Sequence, residues 1–81
     1  MTVNDAVAKK IIKLLKEKNM TQYRLEVLSH IPHSTMQNII DGNHNKIMLN
    51  TVMMIAKGFG MTHLEFLDDE VFFSEDLEIE I

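Results

Sequence analysis

The stretch from residue 21 to residue 42 reads TQYRLEVLSHIPHSTMQNIIDG and contains two short helical patterns separated by a proline. Thr21 can cap the first helix as its N-cap, and this helix must end near Ser29 because the proline that follows cannot continue it. Pro32 suits the first position of a new helix, and Gly42 suits the position just past its end. The sequence thus predicts two helices joined by a tight turn, over residues 22–29 and 32–41.

Residues 32–41 divide into two faces when they are placed on a helical wheel. One face carries only hydrogen-bonding groups, from His33, Ser34, Gln37, Asn38 and Asp41. The other face is suited to packing against a core and carries Thr35, Met36, Ile39 and Ile40. Two short helices joined by a tight turn, with a polar outer face on the second, form the arrangement of a helix-turn-helix.

A further helix is predicted before this pair. Apolar residues recur at helical spacing over residues 5–18, with Asn4 or Asp5 available as the N-cap. Three lysines share the outer face of this helix: Lys9, Lys13 and Lys16. We interpret them as a solvated face, with contact to phosphate as the alternative.

Two more helices are predicted after the pair. The fourth begins near Leu49 and ends at the Gly58-Phe59-Gly60 break. The fifth starts with Thr62-His63-Leu64-Glu65, which has the T-x-x-E form of a capping box, and Leu64 and Leu67 are expected to point inward. The chain is therefore predicted to be an all-α domain of five helices, with methionines such as Met36, Met53 and Met61 filling gaps in its core.

The charges are divided unevenly along the chain. Residues 1–64 hold all eight lysines and arginines and four of the twelve acids, whereas residues 65–81 hold the other eight acids and no cation. The first part therefore carries +4 and the last part −8, for a net charge of −4. The body is therefore mildly basic up to residue 64, and we expect a domain over residues 1–69 followed by an acidic C-terminal tail over residues 70–81.

The tail also contains apolar residues. Val71, Phe72 and Phe73 form a larger apolar cluster than an exposed tail normally carries, so we expect them to be buried on the domain itself or across a two-fold axis. Leu77, Ile79 and Ile81 alternate with acids in the manner of a strand. The tail is thus disordered, packed on the body, or paired with the same segment of a second chain, and we favour a role in stabilising a homodimer.

Composition and motifs exclude most other classes of protein. The longest apolar run falls short of the ~20 residues that cross a bilayer, and the N-terminus lacks the pattern of a signal peptide, so we expect a cytoplasmic protein with no membrane partner. The sequence has no cysteine, no phosphate-binding glycine loop, no hydrolase motif and no set of residues at metal-ligand spacing. We therefore expect neither an enzyme nor a metal or other cofactor, and no small-molecule effector.

The sequence around the two short helices resembles the Xre or phage-repressor (Cro-like) helix-turn-helix family. The resemblance covers about residues 7 to 68, with the order and separations of the family and no insertion. Its most specific parts are Thr21-Gln22, Ser34-Thr35, Asp41-Gly42, Ile55-Ala56 and Gly58-Phe59-Gly60. The resemblance implies a compact five-helix domain that binds double-stranded operator DNA as a homodimer and regulates transcription.

The resemblance also implies roles for individual residues. Four residues of the third helix would face bases in the major groove: His33, Ser34, Gln37 and Asn38. Gln or Asn can bond adenine N6 and N7 together, whereas arginine, the usual reader of guanine, is missing from this helix. Contacts to the DNA backbone would come from Gln22, Asn43, His44, Asn45 and Lys46.

Two residues depart from the pattern of the family. Glu26 stands where a small residue, mostly alanine, is usual between the two helices, and His30 stands where the turn usually has glycine. A left-handed backbone at His30 costs about 1 kcal/mol, which histidine tolerates. A carboxylate at Glu26 must turn outward or find a donor such as Arg24 or His30.

A second class of function shares this fold. The chain would then be a protein-interaction module of the antitoxin or antirepressor type, with its acidic tail on a basic partner.

Overall fold

The computed structural model describes residues 1–44 and 46–79. Five α-helices and one 3₁₀ turn follow one another in this part of the chain: α1 (Val3–Glu17), α2 (Gln22–Ser29), α3 (His33–Ile40), α4 (Leu49–Gly58), α5 (His63–Leu67) and the 3₁₀ turn Glu70–Phe72. The described residues form no strand, although an isolated parallel bridge joins Thr2 to Glu78. The predicted all-α domain of five helices is confirmed. None of these helices has the length and apolar character needed to cross a membrane.

The first helix begins earlier than predicted. Thr2, and neither Asn4 nor Asp5, is the N-cap of α1. Thr2 Oγ1 accepts a hydrogen bond from the backbone N–H of Asp5 at 3.1 Å, and the Asp5 carboxylate accepts one from the Thr2 N–H at 3.0 Å. This is a reciprocal capping box in which aspartate replaces the usual glutamate. Asn4 is buried inside the helix, where its Nδ2 donates to the carbonyl of Ile39 at 3.1 Å and ties α1 to α3.

The helix-turn-helix is formed by α2 and α3, with one difference from the prediction. Thr21 caps α2 as expected, since its side chain accepts a hydrogen bond from the Arg24 N–H at 3.1 Å. Pro32 is the N-cap of α3 and not its first residue, because its ψ of 150° keeps it extended while its carbonyl accepts the first helical bond. Gly42 follows α3 with a φ of +78°, as the prediction for a C-terminal glycine requires.

The core lies between two pairs of helices, α1 with α3 and α2 with α4. The largest fully buried side chains are those of Phe66, Ile11, Leu25, Met36, Ile39, Ile55 and Val7. Gly58 allows α4 to approach α2 closely, because a Cβ at this position would lie 3.0 Å from both Leu25 Cδ1 and Ser29 Cβ.

Two residues expected to point inward are exposed instead. Leu64 is 70% exposed and Met53 is 43% exposed. In α5 the buried position belongs to Phe66, which lies about 200° from Leu64 on the helical wheel. A five-residue helix offers too few positions for its inner face to be identified from spacing, and this explains the error.

The described part of the tail packs on the body of the same chain. Val71 and Phe72 are half-buried, and the ring of Phe72 lies 5.9 Å from that of Phe66. Phe73 is 68% exposed. Further along, the Glu78 N–H donates to the Met1 carbonyl at 2.7 Å, so this part of the tail lies beside the start of α1. Ile81, the last residue of the predicted strand-like segment, lies outside the described residues.

Candidate nucleic-acid interface

The polar face of α3 lies on the outside of the domain because the opposite face packs into the core. Met36 and Ile39 are fully buried on the inner side. The structure brings together, on the outer side, the four residues that were expected to contact bases. His33, Ser34 and Asn38 are exposed, and Gln37 is half-buried.

A chain of side-chain hydrogen bonds connects α2 to this face. Gln22 Nε2 donates to Glu26 Oε2 at 2.9 Å and to Gln37 Oε1 at 3.0 Å. Gln37 Nε2 donates to Asp41 Oδ1 at 2.9 Å, and His33 Nδ1 lies 2.8 Å from Glu26 Oε2. These five side chains, which we call the α2–α3 network, hold one another in fixed positions on the surface that the sequence assigned to DNA.

Glu26 is the buried member of the α2–α3 network, with 9% of its surface exposed. Burial alone raises the pKa of its carboxyl, but the hydrogen bonds from Gln22 and His33 outweigh burial and lower the pKa below its ordinary value. Glu26 is therefore ionised at neutral pH and only accepts hydrogen bonds. The donors expected from the sequence, Arg24 and His30, are both exposed, and Gln22 and His33 take their place.

His30 adopts the left-handed conformation that its place in the turn requires. Its φ is 60° and its ψ is 31°, and its N–H donates to the carbonyl of Glu26. This conformation closes the turn between α2 and α3, and Ile31 is buried immediately after it. The position of α3 relative to α2 therefore depends on a histidine in a conformation that usually belongs to glycine.

The α2–α3 network uses only part of the hydrogen-bonding capacity of this surface. None of the side-chain hydrogen bonds between described residues involves His33 Nε2, the Ser34 hydroxyl or the Asn38 side-chain amide. Gln37 donates one hydrogen to Asp41 and accepts one from Gln22, so half of its amide capacity stays available. Directional donors and acceptors of this kind can recognise the edges of bases.

The described residues among those expected to contact the DNA backbone lie at the two ends of this surface. Gln22 is the first residue of α2, where backbone N–H groups point out of the helix. Beyond α3, Asn43 and Lys46 are exposed and His44 is half-buried. Asn45 lies outside the described residues. The side chain of Gln22 is already bonded within the α2–α3 network, so its backbone N–H is the group best placed for a phosphate.

The lysines of α1 face the acidic tail. Lys9, Lys13 and Lys16 line a groove together with Asp69, Glu70 and Asp76. Lys13 Nζ lies 3.0 Å from Asp69 Oδ2, and this contact raises the pKa of Lys13. The phosphate-binding alternative for these lysines is thereby weakened, because the tail supplies carboxylates in the place of phosphates.

Sequence reasoning identified Glu26 as an unusual residue but missed its partners. Two signals pointed to them. Gln22 and Glu26 are four residues apart and share one face of α2, and His33 is the first residue of the next helix. The spacing within α2 predicts that Gln22 and Glu26 meet, whereas the contact with His33 also depends on the turn between the two helices.

Comparison with known families gives a match over most of the chain. Residues 10–70 match the family described as the Cro/C1-type HTH DNA-binding domain. No match was found among curated proteins or among solved structures.

Proposed function

The chain belongs to the Cro/C1-type HTH DNA-binding domain family, and from this premise we propose that it is a sequence-specific transcriptional regulator that docks α3 in the major groove of operator DNA as a homodimer. Such a protein works in the cytoplasm, where its operator is, and can act as a repressor by covering a promoter. The observation that carries the proposal is the outer face of α3, which presents hydrogen-bonding side chains and is backed by a buried apolar face.

Four residues of this face are proposed to read bases. Asn38 and Gln37 carry amides that can bond adenine N6 and N7, and Ser34 can donate to or accept from any base edge. His33 lies at the N-terminus of α3, the end that enters the groove first in proteins of this type. The absence of arginine from α3 favours operators in which adenine is read more often than guanine.

Contacts to the DNA backbone are proposed for Gln22 and for four residues that follow α3 in the sequence: Asn43, His44, Asn45 and Lys46. The backbone N–H of Gln22 lies at the positive end of the α2 dipole, which attracts phosphate. Lys46 is exposed and is the only cation among the five. These contacts position the domain on DNA and carry little sequence information.

Dimerisation is proposed for the surface around α5 and the tail. Leu64 and Phe73 are 70% and 68% exposed, and they line one shallow apolar depression together with Leu67. Such a patch on a small domain indicates a protein contact. A two-fold dimer places two copies of α3 about 34 Å apart, which is one turn of DNA.

Selection of bound sequences from a random pool of double-stranded DNA tests this function directly. We expect enrichment of a palindromic site with two half-sites one helical turn apart. The proposal would be contradicted if no sequence were enriched above the starting pool and if the protein did not shift the DNA flanking its coding sequence in gels.

A protein-interaction module of the antitoxin or antirepressor type is the second candidate. It is favoured by the tail, where Glu75, Asp76 and Glu78 are exposed and can bind a basic partner. Retention on heparin distinguishes the two functions, because a DNA-binding face is retained and an acidic binding face is not.

A further inference from the structure

The contact between His33 and Glu26 fixes one nitrogen of an exposed imidazole. His33 Nδ1 lies 2.8 Å from Glu26 Oε2, and the His33 side chain is 71% exposed whereas that of Glu26 is 9% exposed. The contact is therefore on the protein side of the ring. The other nitrogen, Nε2, lies on the opposite edge of the ring from this contact.

The charge of Glu26 decides which nitrogen of His33 carries the hydrogen. Glu26 Oε2 already accepts a hydrogen bond from Gln22, and the carboxylate has no hydrogen to give. A short contact to Nδ1 is favourable only when Nδ1 bears a hydrogen, since two lone pairs would otherwise face each other. Neutral His33 must then hold its hydrogen on Nδ1 and a lone pair on Nε2.

We propose that Glu26 is a positioning residue that fixes His33 in the Nδ1–H tautomer and so decides which base edge His33 reads in the major groove. This inference rests on the proposed function. A lone pair on Nε2 accepts a hydrogen bond from adenine N6 or cytosine N4, the amino groups of the major groove. A neutral imidazole with the hydrogen on Nε2 would instead donate to the acceptors of the major groove, which are N7 of either purine, O6 of guanine and O4 of thymine.

Protonation of His33 reverses this preference. The imidazolium keeps Nδ1–H on Glu26 and gains a hydrogen on Nε2, which then donates to guanine N7 or O6. Three acidic groups lie along α3, and Glu26 of α2 is the one in contact with His33. Asp41 follows the other end of α3 and is joined to the network through Gln37, and Asp5 of α1 lies beside Gly42 at that same far end.

The tautomer can be measured without DNA. Ring ¹⁵N chemical shifts at about pH 8 distinguish a protonated nitrogen from a bare one, and the His33→Asn variant assigns the signals among the four histidines. We expect Nδ1 to carry the hydrogen in His33, whereas Nε2 carries it in most solvated histidines. A hydrogen on Nε2 of His33 would overturn the inference even if every Glu26 variant failed to fold.

The base preference is measured by selection from the random DNA pool at two pH values, a high one at which the ring ¹⁵N signals show His33 neutral and a low one at which they show it protonated. We expect one position in each half-site to change from cytosine at high pH to guanine at low pH, whereas adenine, which presents both N6–H₂ and N7, is compatible with either state. Protonation of the other histidines can raise affinity, but it does so for all sequences, so base identity is the diagnostic result.

The variants Glu26→Gln and Glu26→Ala remove the charge that fixes the tautomer. We expect about tenfold weaker discrimination at that one position and loss of its pH dependence, with the other positions unchanged. Glu17→Gln, which removes an exposed carboxylate at the end of α1, is the matched control and should behave as the parent. If the folded Glu26 variants bind specifically and select the same bases as the parent, the inference is overturned and the proposed function stands. If the parent protein shows no specific binding, the proposed function is overturned as well.

Discussion

Asp69 Oδ2 lies 2.9 Å from Lys10 Nζ, in an ion pair whose side chains are 13% and 8% exposed. The same oxygen is 3.0 Å from Lys13 Nζ, and Asp69 Oδ1 accepts a hydrogen bond from the Val71 N–H at 3.0 Å. The N–H of Val71, followed by the two lysines, holds the pKa of Asp69 far below its ordinary value. One carboxylate thus joins the start of the tail to the middle of α1.

We expect Asp69→Asn to destabilise the fold by about 2 to 3 kcal/mol at neutral pH, because it leaves Lys10 buried without its counter-ion. A carboxyl whose folded pKa is depressed stabilises the fold fully above its unfolded pKa of about 4, and this contribution is lost as the pH falls towards the folded pKa. Urea unfolding of both proteins between about pH 3 and pH 7 measures the difference. Asp68→Asn changes the exposed neighbour and is the control; an equal loss in both variants would contradict the role of Asp69.

The turn residue His30 provides a second test of stability. Its φ of 60° is strained for a side chain with a Cβ, so His30→Gly should stabilise the domain by up to about 1 kcal/mol. His30→Val should destabilise it by more than that, because a β-branched residue tolerates this conformation least. Thermal unfolding of the three proteins gives the order, and a glycine variant less stable than the valine variant would contradict it.

The two amides of α3 predict a specific pattern of binding defects. Gln37→Ala and Asn38→Ala should each reduce discrimination between the operator and random DNA by about 1 to 3 kcal/mol while leaving the fold intact. Gln37 also bonds Gln22 and Asp41, so its removal should affect neighbouring base positions, whereas the effect of Asn38 should stay at one position. Gel shifts on both DNAs check this, and equal loss on specific and random DNA would count against base reading.

The salt dependence of binding should be shallower than that of more basic relatives. Lys10 and Lys13 are bonded to Asp69, so fewer of the protein's cations can contact phosphate. We expect a log-log slope weaker than about −5 for the dimer, and Lys46→Gln should reduce its magnitude by about 1 for each subunit. Lys57→Gln on α4 is the matched control. Affinity that does not change with salt would rule out the phosphate contacts.

Local signals were enough to predict most helix boundaries from the sequence. Thr21 and Thr62 accept hydrogen bonds from N–H groups three residues ahead, and Gly42 uses a φ that glycine allows, so each boundary depends on neighbouring residues. The predicted start of α1 was wrong because Thr2 and Asp5 form a capping box in which aspartate replaces the usual glutamate. The residues of each motif are close together in the sequence, so the motif can be identified without knowledge of the tertiary structure.

The candidate site was only partly predictable because its geometry is tertiary. A helical wheel of α3 was enough to predict which of its residues face outward, since side-chain directions follow from the helical period. The hydrogen bonds of Glu26 depend on where α3 lies beside α2, and this is set by the left-handed His30 and by the core. The prediction that Leu64 points inward was wrong for the same reason. The packing of a five-residue helix is decided by its neighbours, and in α5 they bury Phe66.

Dimerisation through the α5 surface leads to the last prediction. Deleting the whole tail would also remove Phe72 from its contact with Phe66, so loss of dimer and loss of folding would be mixed. Leu64→Ser and Phe73→Ser avoid this problem, because both side chains are mostly exposed in the single chain and their loss should change its stability by less than about 0.5 kcal/mol.

We expect both variants to dissociate at concentrations where the parent protein is a dimer, and to bind the full operator more weakly because each half-site must then be bound independently. Sedimentation at micromolar concentration and gel shifts measure the two effects together. Met53→Ser is the control, since it removes an exposed apolar side chain from α4. A double variant of Leu64 and Phe73 that remains fully dimeric would show that the two subunits meet through another surface, and the exposed depression on α5 would then need a different partner.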